Sequence, residues 1–592
     1  MGIVNEIKPL IVTALQELYN QNFQEADLTV NSTKPEFEGD YTLVLFSFVK
    51  QLKKSPEQLG NEIGEHLIKN HTDLFSSYNV IKGFLNLVVT DSYWIAFLQT
   101  SYTNKKLGHQ PANKHKVIVE YSSPNTNKPL HLGHLRNNFL GWSVAEILKT
   151  TGHTVFKTAI LNDRGIHICK SMVAWQLFGE DKTPESTGIK GDHFVGDYYV
   201  LFGQEHKKET AILIEEGMNK EEAERNAPIM LAAQKMLVDW ENGDPKVRAL
   251  WQKMNGWVYE GFNETYKKIG SDFDKNYFES ETYLLGKEFV EDGLQKGVFY
   301  KKEDGSVWID LTADGLDEKI VQRKDGTSVY ITQDLGLADK KFEEFKYDQS
   351  IYVIADEQNY HMKVLKLILK KLGKPYADGI YHLSYGMVEL PSGRMKTREG
   401  TVVDADDMIE ELKKVAREKT EELGKVKDFN PGELNELYDI IAIGALKFFL
   451  LRVDPKKRML FNPEESIDFH GFTGPFVQYT HARIKSILRK EKAVDRGQLT
   501  VGGLLPKEKE LIVLLEQYPT IIEQALQEHN PSLLTIYAFT VAKTFNTFYT
   551  ELSVMNAESE EKKQLRLQMS ELTSNVIASA MALMGIKVPE RM

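Results

Sequence analysis

The run from Lys116 to Leu161 constrains this chain more than any other segment. "KVIVEYS", beginning at Lys116, is rich in β-branched residues and reads as a strand. From Leu135 to Lys149, Leu135, Phe139, Leu140, Val144, Ile147 and Leu148 recur at helical spacing with a broad buried face. The helix stops at Gly152, and "TVFKTAIL" resumes as a strand. A strand, a helix and a parallel strand in about 45 residues close as a right-handed crossover. An open parallel sheet of this kind gathers ligands at the carboxyl ends of its strands.

The first strand delivers the chain to "YSSPNTNKPLHLGHLRNN", Tyr121 to Asn138. His131-Leu132-Gly133-His134 falls at the helix start, where free backbone N–H groups and the helix dipole favour an anion. Two imidazoles can donate to nucleotide phosphates, and Gly133 lets an adenosine approach without meeting a Cβ. With 15 histidines and 41 glycines in 592 residues, a His-x-Gly-His pattern is expected by chance roughly 0.03 times. A second element, "GRMKTREGTVVDADDM" from Gly393, places Lys396 and Arg398 around Thr397 in a Gly-bounded loop before a helix. Such a loop can close cations over a departing pyrophosphate; alone it reads more readily as a solvated basic turn, and its pairing with His131–His134 in the correct chain order favours the functional reading.

The length implies about three to five domains. A polar segment, Thr103 to His115, separates an N-terminal region of short helices and strands from the crossover. In that region "SPEQLGNEIGEHLIKN", Ser55 to Asn70, reads as a capped helix and Gly83 to Val89 as a strand. Residues 181–260 are rich in charge and helix formers and read as an insertion. Beyond 435 amphipathic helices dominate and strand signals nearly vanish. The expected fold class is therefore multidomain α/β: an α+β domain at 1–112, a Rossmann-type parallel-sheet domain with helical insertions at 113–434, and an all-α domain at 435–592. No apolar run approaches a membrane span. The single cysteine, Cys169, excludes intrachain disulfides and Cys-rich zinc modules, and with no secretory leader visible a cytoplasmic location is expected. The net charge of −12 disfavours wholesale wrapping by nucleic acid while permitting local basic surfaces.

The His131–His134 and Lys396–Arg398 elements resemble the HIGH and KMSKS signatures of class I aminoacyl-tRNA synthetases. "EYSSPNTNKPLHLGHLRNN", "DGTSVYITQDLG", "GFTGPFVQYTHARI" and "PERM" make nearly the whole chain similar to the arginyl-tRNA synthetase family. That family commonly lacks the second signature lysine, replaced here by Thr397, and the resemblance gives the compensating role to Lys128. It implies ATP with substrate-bound Mg²⁺, no protein-held metal, arginine and tRNA(Arg) as partners, and a monomer. His131, Gly133, His134 and Lys396 would bind ATP.

A guanidinium is planar, charged and forked, so its pocket needs carboxylates in plane. Glu120 ends the first strand, and Asp334 follows "VYIT", read as another strand. The resemblance assigns both to the guanidinium, with Tyr330 packing on it, Asn125 at the α-amino or carboxylate end and Gln358 as a further contact. Glu120 could instead be a strand-end salt bridge and Asp334 a helix cap; the absence of cationic partners nearby in sequence favours the pocket. For the tRNA, the resemblance implies Phe84 and Asn86 at the D-loop. It implies Tyr479, Arg483, Tyr549 and Met592 near the anticodon, with the basic stretch His481 to Lys492 facing RNA. Three rivals remain open: a class I synthetase for another amino acid, a small-metabolite nucleotidyltransferase, and a non-catalytic tRNA-binding scaffold.

Overall fold

The structure is a computed structural model that describes residues 2–34, 36–389, 403–422, 429–491, 499 and 501–592. In the N-terminal region β1 (Val30–Ser32), β2 (Tyr41–Val44), β3 (Phe75–Ile81) and β4 (Phe84–Val89) form an antiparallel sheet in the order β1-β2-β4-β3. The helix Pro56–Asn70 packs on it. Ser55 caps that helix by accepting from the Gln58 N–H, and Leu59, Ile63 and Leu67 are buried at the expected spacing.

Five parallel strands make the central sheet, of which the first three are β5 (Lys116–Glu120), β6 (Thr154–Leu161) and β7 (Lys275–Phe278). Between β7 and β11, the short strands β8 (Tyr300–Lys301), β9 (Val307–Ile309) and β10 (Lys319–Gln322) form a separate antiparallel sheet. Then β11 (Gln349–Ala355) and β12 (Ile380–Tyr385) complete the order β12-β11-β5-β6-β7. The chain winds outward from β5 to one side and returns through β11 to the other. The carboxyl ends of β5 and β11 therefore flank a topological switch point, the crevice where open α/β sheets bind ligands. Val117, Ile118 and Val119 are buried, as a strand covered on both faces requires.

The first crossover helix runs Leu132–Thr150, starting earlier than the apolar spacing predicts because His131 caps it. The insertion consists of helices Gly191–Glu215, Lys220–Asn226, Pro228–Glu241 and Pro245–Ile269, between β6 and β7. Two sequence expectations change. "VYIT" is not a strand: Val329 is extended and Tyr330–Phe345 is a helix. Three of its four residues are β-branched and the fourth is aromatic, but the period that decides is Ile331, Leu335 and Ala338, all buried. Strands also do not end at 435, since β13 (Val388–Glu389) pairs in parallel with β14 (Met459–Leu460). A two-residue strand is too short to leave a period in the sequence. The remaining C-terminal part is helical, from Pro431–Leu451 and Gly474–Lys490 to Glu560–Leu583.

The N-terminal region docks on the helix Pro506–Glu516 through buried and half-buried polar contacts. Glu516 accepts from the Ile3 N–H and the Tyr41 hydroxyl, and Lys509 pairs with Asp40 at 3.0 Å.

Candidate active site

His131 is the N-cap of the helix that follows β5. Its Nδ1 accepts from the Gly133 N–H at 3.1 Å, and Nδ1 of His134 accepts from the His131 N–H at 3.2 Å. With Nδ1 an acceptor in both rings, each neutral imidazole carries its proton on Nε2. Burial, with Lys128 adding to it, pushes His131 down to about 3, and burial first and then His131 hold His134 well below the ordinary histidine range. The rings lie 3.9 Å apart at 31°. They form a pair of uncharged Nε2–H donors that do not titrate near neutrality.

This geometry corrects the expectation of free amides at the helix start. Gly133 and His131 spend their N–H groups on the capping imidazoles, and the Leu132 N–H reaches Val403 O at 3.4 Å. Gly133 also has a tighter local reason to be glycine, since a Cβ would lie 3.1 Å from Cε1 of His131. Lys128 is half-buried, and burial lowers its proton affinity. Lys396 and Arg398 lie outside the described residues. The chain on either side of them is anchored: Val388–Glu389 by β14, and Ala405 by its N–H to Leu130 O at 2.9 Å.

A cavity of about 890 Å³ opens beyond the carboxyl ends of β6 and β7, lined by Asn125, Asn162, Arg164, Glu279, Tyr330 and Asp334 among others. Asp334 accepts from Nε2 of His361 at 2.6 Å. One turn earlier Tyr330 is 74% exposed, so its ring is available to a ligand. Asn125 bridges to Asn162, the residue after β6. Glu279, the residue after β7, is an acid that sequence reasoning missed. Burial pushes its carboxyl up to about 7; Arg164 opposes that shift, while Asp163 and Asp334 reinforce it. Its signal was positional: it follows the strand end "KNYF". Arg164 itself is held against the Tyr283 ring at 3.9 Å and paired with Glu241 at 2.8 Å.

Glu120 is placed differently from expectation. It is buried and accepts from Lys341, and it does not line the cavity. The cationic partner sought nearby in sequence exists 221 residues away. Gln358 is exposed in the turn after β11 and likewise does not line the cavity. Among the described residues, Asp192, His193 and Asp406 bring metal-ligand atoms within 4.8 Å of one another. Lys190 donates to both carboxylates there and supplies the positive charge.

The expected RNA contacts divide. Asn86 is 1% exposed, with its amide used by Thr42 and Asn79, so it cannot meet a base without unpacking. Phe84 is the half-exposed member of the pair, edge-on to the exposed Phe46 at 5.7 Å. Tyr479 and Arg483 are near each other, with the guanidinium 4.9 Å from the ring, but Arg483 also donates to Asn546. Tyr549 is 38% exposed, whereas Met592 packs on the core. The basic stretch from His481 is not a free face: His481, Lys485 and Arg489 hold Pro589 and Glu590. Lys492 lies outside the described residues.

A parallel α/β sheet with paired neutral imidazoles at its switch point defines a class of nucleotidyl-transfer enzyme, and comparison makes the class definite. Residues 98–462 match the model of "tRNA synthetases class I (R), catalytic domain". Residues 5–89 match the arginyl-tRNA synthetase N-terminal domain, and residues 477–592 the DALR anticodon-binding domain. The chain is 52% identical to an arginine–tRNA ligase of Amoebophilus asiaticus and 51% identical to one of Flavobacterium psychrophilum, each alignment covering all of both chains. It shares the fold of the Thermus thermophilus arginyl-tRNA synthetase, with a TM-score of 0.81 at 24% identity over the full length of both. The chain belongs to the arginyl-tRNA synthetase family.

Proposed function

We propose that the chain ligates arginine to tRNA(Arg) in two steps. The arginine carboxylate attacks the α-phosphorus of ATP, and the bond to the β-phosphate oxygen breaks, giving arginyl-adenylate and pyrophosphate. A ribose hydroxyl of the 3′-terminal adenosine, the 2′ by resemblance, then attacks the carbonyl and AMP leaves. Neither step needs a protein nucleophile, so rate comes from positioning and charge stabilisation. The Nε2–H donors of His131 and His134 are suited to phosphate oxygens, with Lys128, Lys396 and Arg398 as the cations. Asp334 and Glu279 would take the guanidinium, Tyr330 would cover it, and Asn125 would take the α-end.

The observation that carries this reading is the conjunction of acids in the cavity, Asp334 and Glu279. A site for a neutral amino acid gains nothing from two partly buried carboxylates. Mg²⁺ would enter on the triphosphate, and a cytoplasmic monomer is the accompanying reading. No described helix is long and apolar enough to cross a membrane. ATP–pyrophosphate exchange with each of the twenty amino acids, with and without total tRNA, is the test. Exchange with arginine alone, dependent on tRNA, is expected. Exchange with another amino acid would overturn the pocket, and no exchange would overturn the enzyme assignment.

A further inference from the structure

Between Glu120 and Asn125 the backbone does something costly. Ser122 is a buried, non-glycine residue with φ +62°, in the left-handed region. Such a conformation persists only where its surroundings over-determine it, and it concentrates at functional sites. Three buried side chains hold it here. The Ser122 N–H donates to Oδ1 of Asn137 at 2.6 Å. Its Oγ accepts from Nδ2 of Asn138 at 3.0 Å and lies 2.6 Å from the Tyr266 hydroxyl.

The kink has a geometric consequence. The chain leaves the end of β5 and crosses to the end of β6, where Asn162 stitches it down. The Asn162 N–H donates to Pro124 O at 3.0 Å, its Nδ2 to Ser123 O at 3.2 Å, and its O accepts from the Thr126 N–H at 3.1 Å. This path brings Asn125 to the cavity wall. Asn137 reaches the other side of the switch point as well, donating through Nδ2 to Val353 O of β11 at 2.6 Å and to the Tyr385 hydroxyl of β12 at 3.2 Å. One amide therefore fixes the end of β5 relative to both strands across the crevice.

We infer that Asn137, with Asn138 and Tyr266, is a positioning residue for amino-acid binding: it holds Ser122 left-handed so that Asn125 meets the α-end of the substrate. This rests on the proposed arginine site. It goes further in assigning substrate affinity to residues that touch no substrate, two of them inside the helix that carries the imidazole pair.

The test is steady-state aminoacylation by the full chain, comparing Asn125→Ala, Asn137→Ala, Ser122→Gly and the double variant Asn137→Ala/Ser122→Gly. Asn137→Ala should raise the KM for arginine roughly tenfold or more while the KM for ATP stays within about twofold, because misplacement falls on one substrate. Glycine adopts the left-handed conformation without a Cβ clash, so the double variant should recover most of the arginine KM. A loss of general stability would instead raise both KM values together. If Asn137→Ala does not fold, Tyr266→Phe, which removes only a hydroxyl, should raise the arginine KM about threefold with the ATP KM unmoved. An unchanged arginine KM in folded Asn137→Ala, a uniform loss in both KM values, or no rescue by glycine overturns the inference. An unchanged arginine KM in Asn125→Ala would instead bring down the arginine-site reading on which it rests.

Discussion

Lys341 sets its ammonium against the Glu120 carboxylate where neither side chain reaches solvent appreciably, at 0% and 7% exposure, with the Tyr352 ring 4.7 Å from the same ammonium. Removing one partner of a buried pair leaves an uncompensated charge, at a cost of about 3–5 kcal/mol. Lys341→Met should therefore lose that much in denaturant unfolding. Glu120→Gln/Lys341→Met should lose less than half of it, since the double variant buries no charge. A double variant that loses as much as Lys341→Met or more would overturn the uncompensated-charge account.

His131 has two roles that a single substitution can separate. As N-cap it stabilises the helix Leu132–Thr150, and asparagine is as good a cap or better. As an Nε2–H donor it faces the nucleotide in the proposed site. His131→Asn should keep the thermal midpoint within about 3 °C, while His131→Ala loses about 1 kcal/mol. Both should reduce kcat for exchange by about 10²-fold. Activity retained by His131→Asn would reduce His131 to a cap.

What could be read in the sequence follows from the range over which each signal acts. The crossover at Lys116–Leu161, the Ser55 cap and the insertion helices are encoded by neighbours three to eight residues apart, and they fold as their spacing dictates. Two failures are non-local: Lys341 meets Glu120, and His481, Lys485 and Arg489 meet Pro589 and Glu590. No local pattern announces a partner a hundred or more residues distant. Asn86 failed for another reason, because a buried amide in a strand looks polar in sequence until Thr42 and Asn79 are known to satisfy it. The helix at Tyr330 is illegible in the four residues of "VYIT", a window that holds one helical turn and so cannot show a repeat.

Asp334, one of the acids lining the cavity, accepts from Nε2 of His361 at 2.6 Å, which fixes its orientation. A charge-assisted hydrogen bond to a guanidinium is worth about 1.5–3 kcal/mol, so Asp334→Asn should raise the arginine KM by roughly 10- to 150-fold. Asp334→Lys should abolish arginine activation while leaving tRNA affinity, measured by filter binding, within about twofold. Arginine use that survives the lysine variant would remove Asp334 from the pocket.

Glu279 makes the amino-acid site sensitive to pH in a defined direction. Its carboxyl is pushed up from 4.5 to about 7, chiefly by burial. A guanidinium binds the ionised form, so arginine affinity should improve as pH rises through about 7. The arginine KM should fall about tenfold between pH 6 and 8, the change expected of one proton released at that midpoint. Stability of the ligand-free enzyme moves the opposite way. A carboxyl whose folded pKa is raised binds its proton more tightly when folded, so its contribution is complete below 4.5 and is lost as pH climbs towards 7. The thermal midpoint of the free enzyme should therefore decline across pH 5–7 more steeply than in Glu279→Gln, and saturating arginine should offset the decline. Glu279→Gln should also flatten the KM profile, because the amide has no proton to lose. A wild-type arginine KM that stays constant from pH 6 to 8 would place Glu279 outside the guanidinium site.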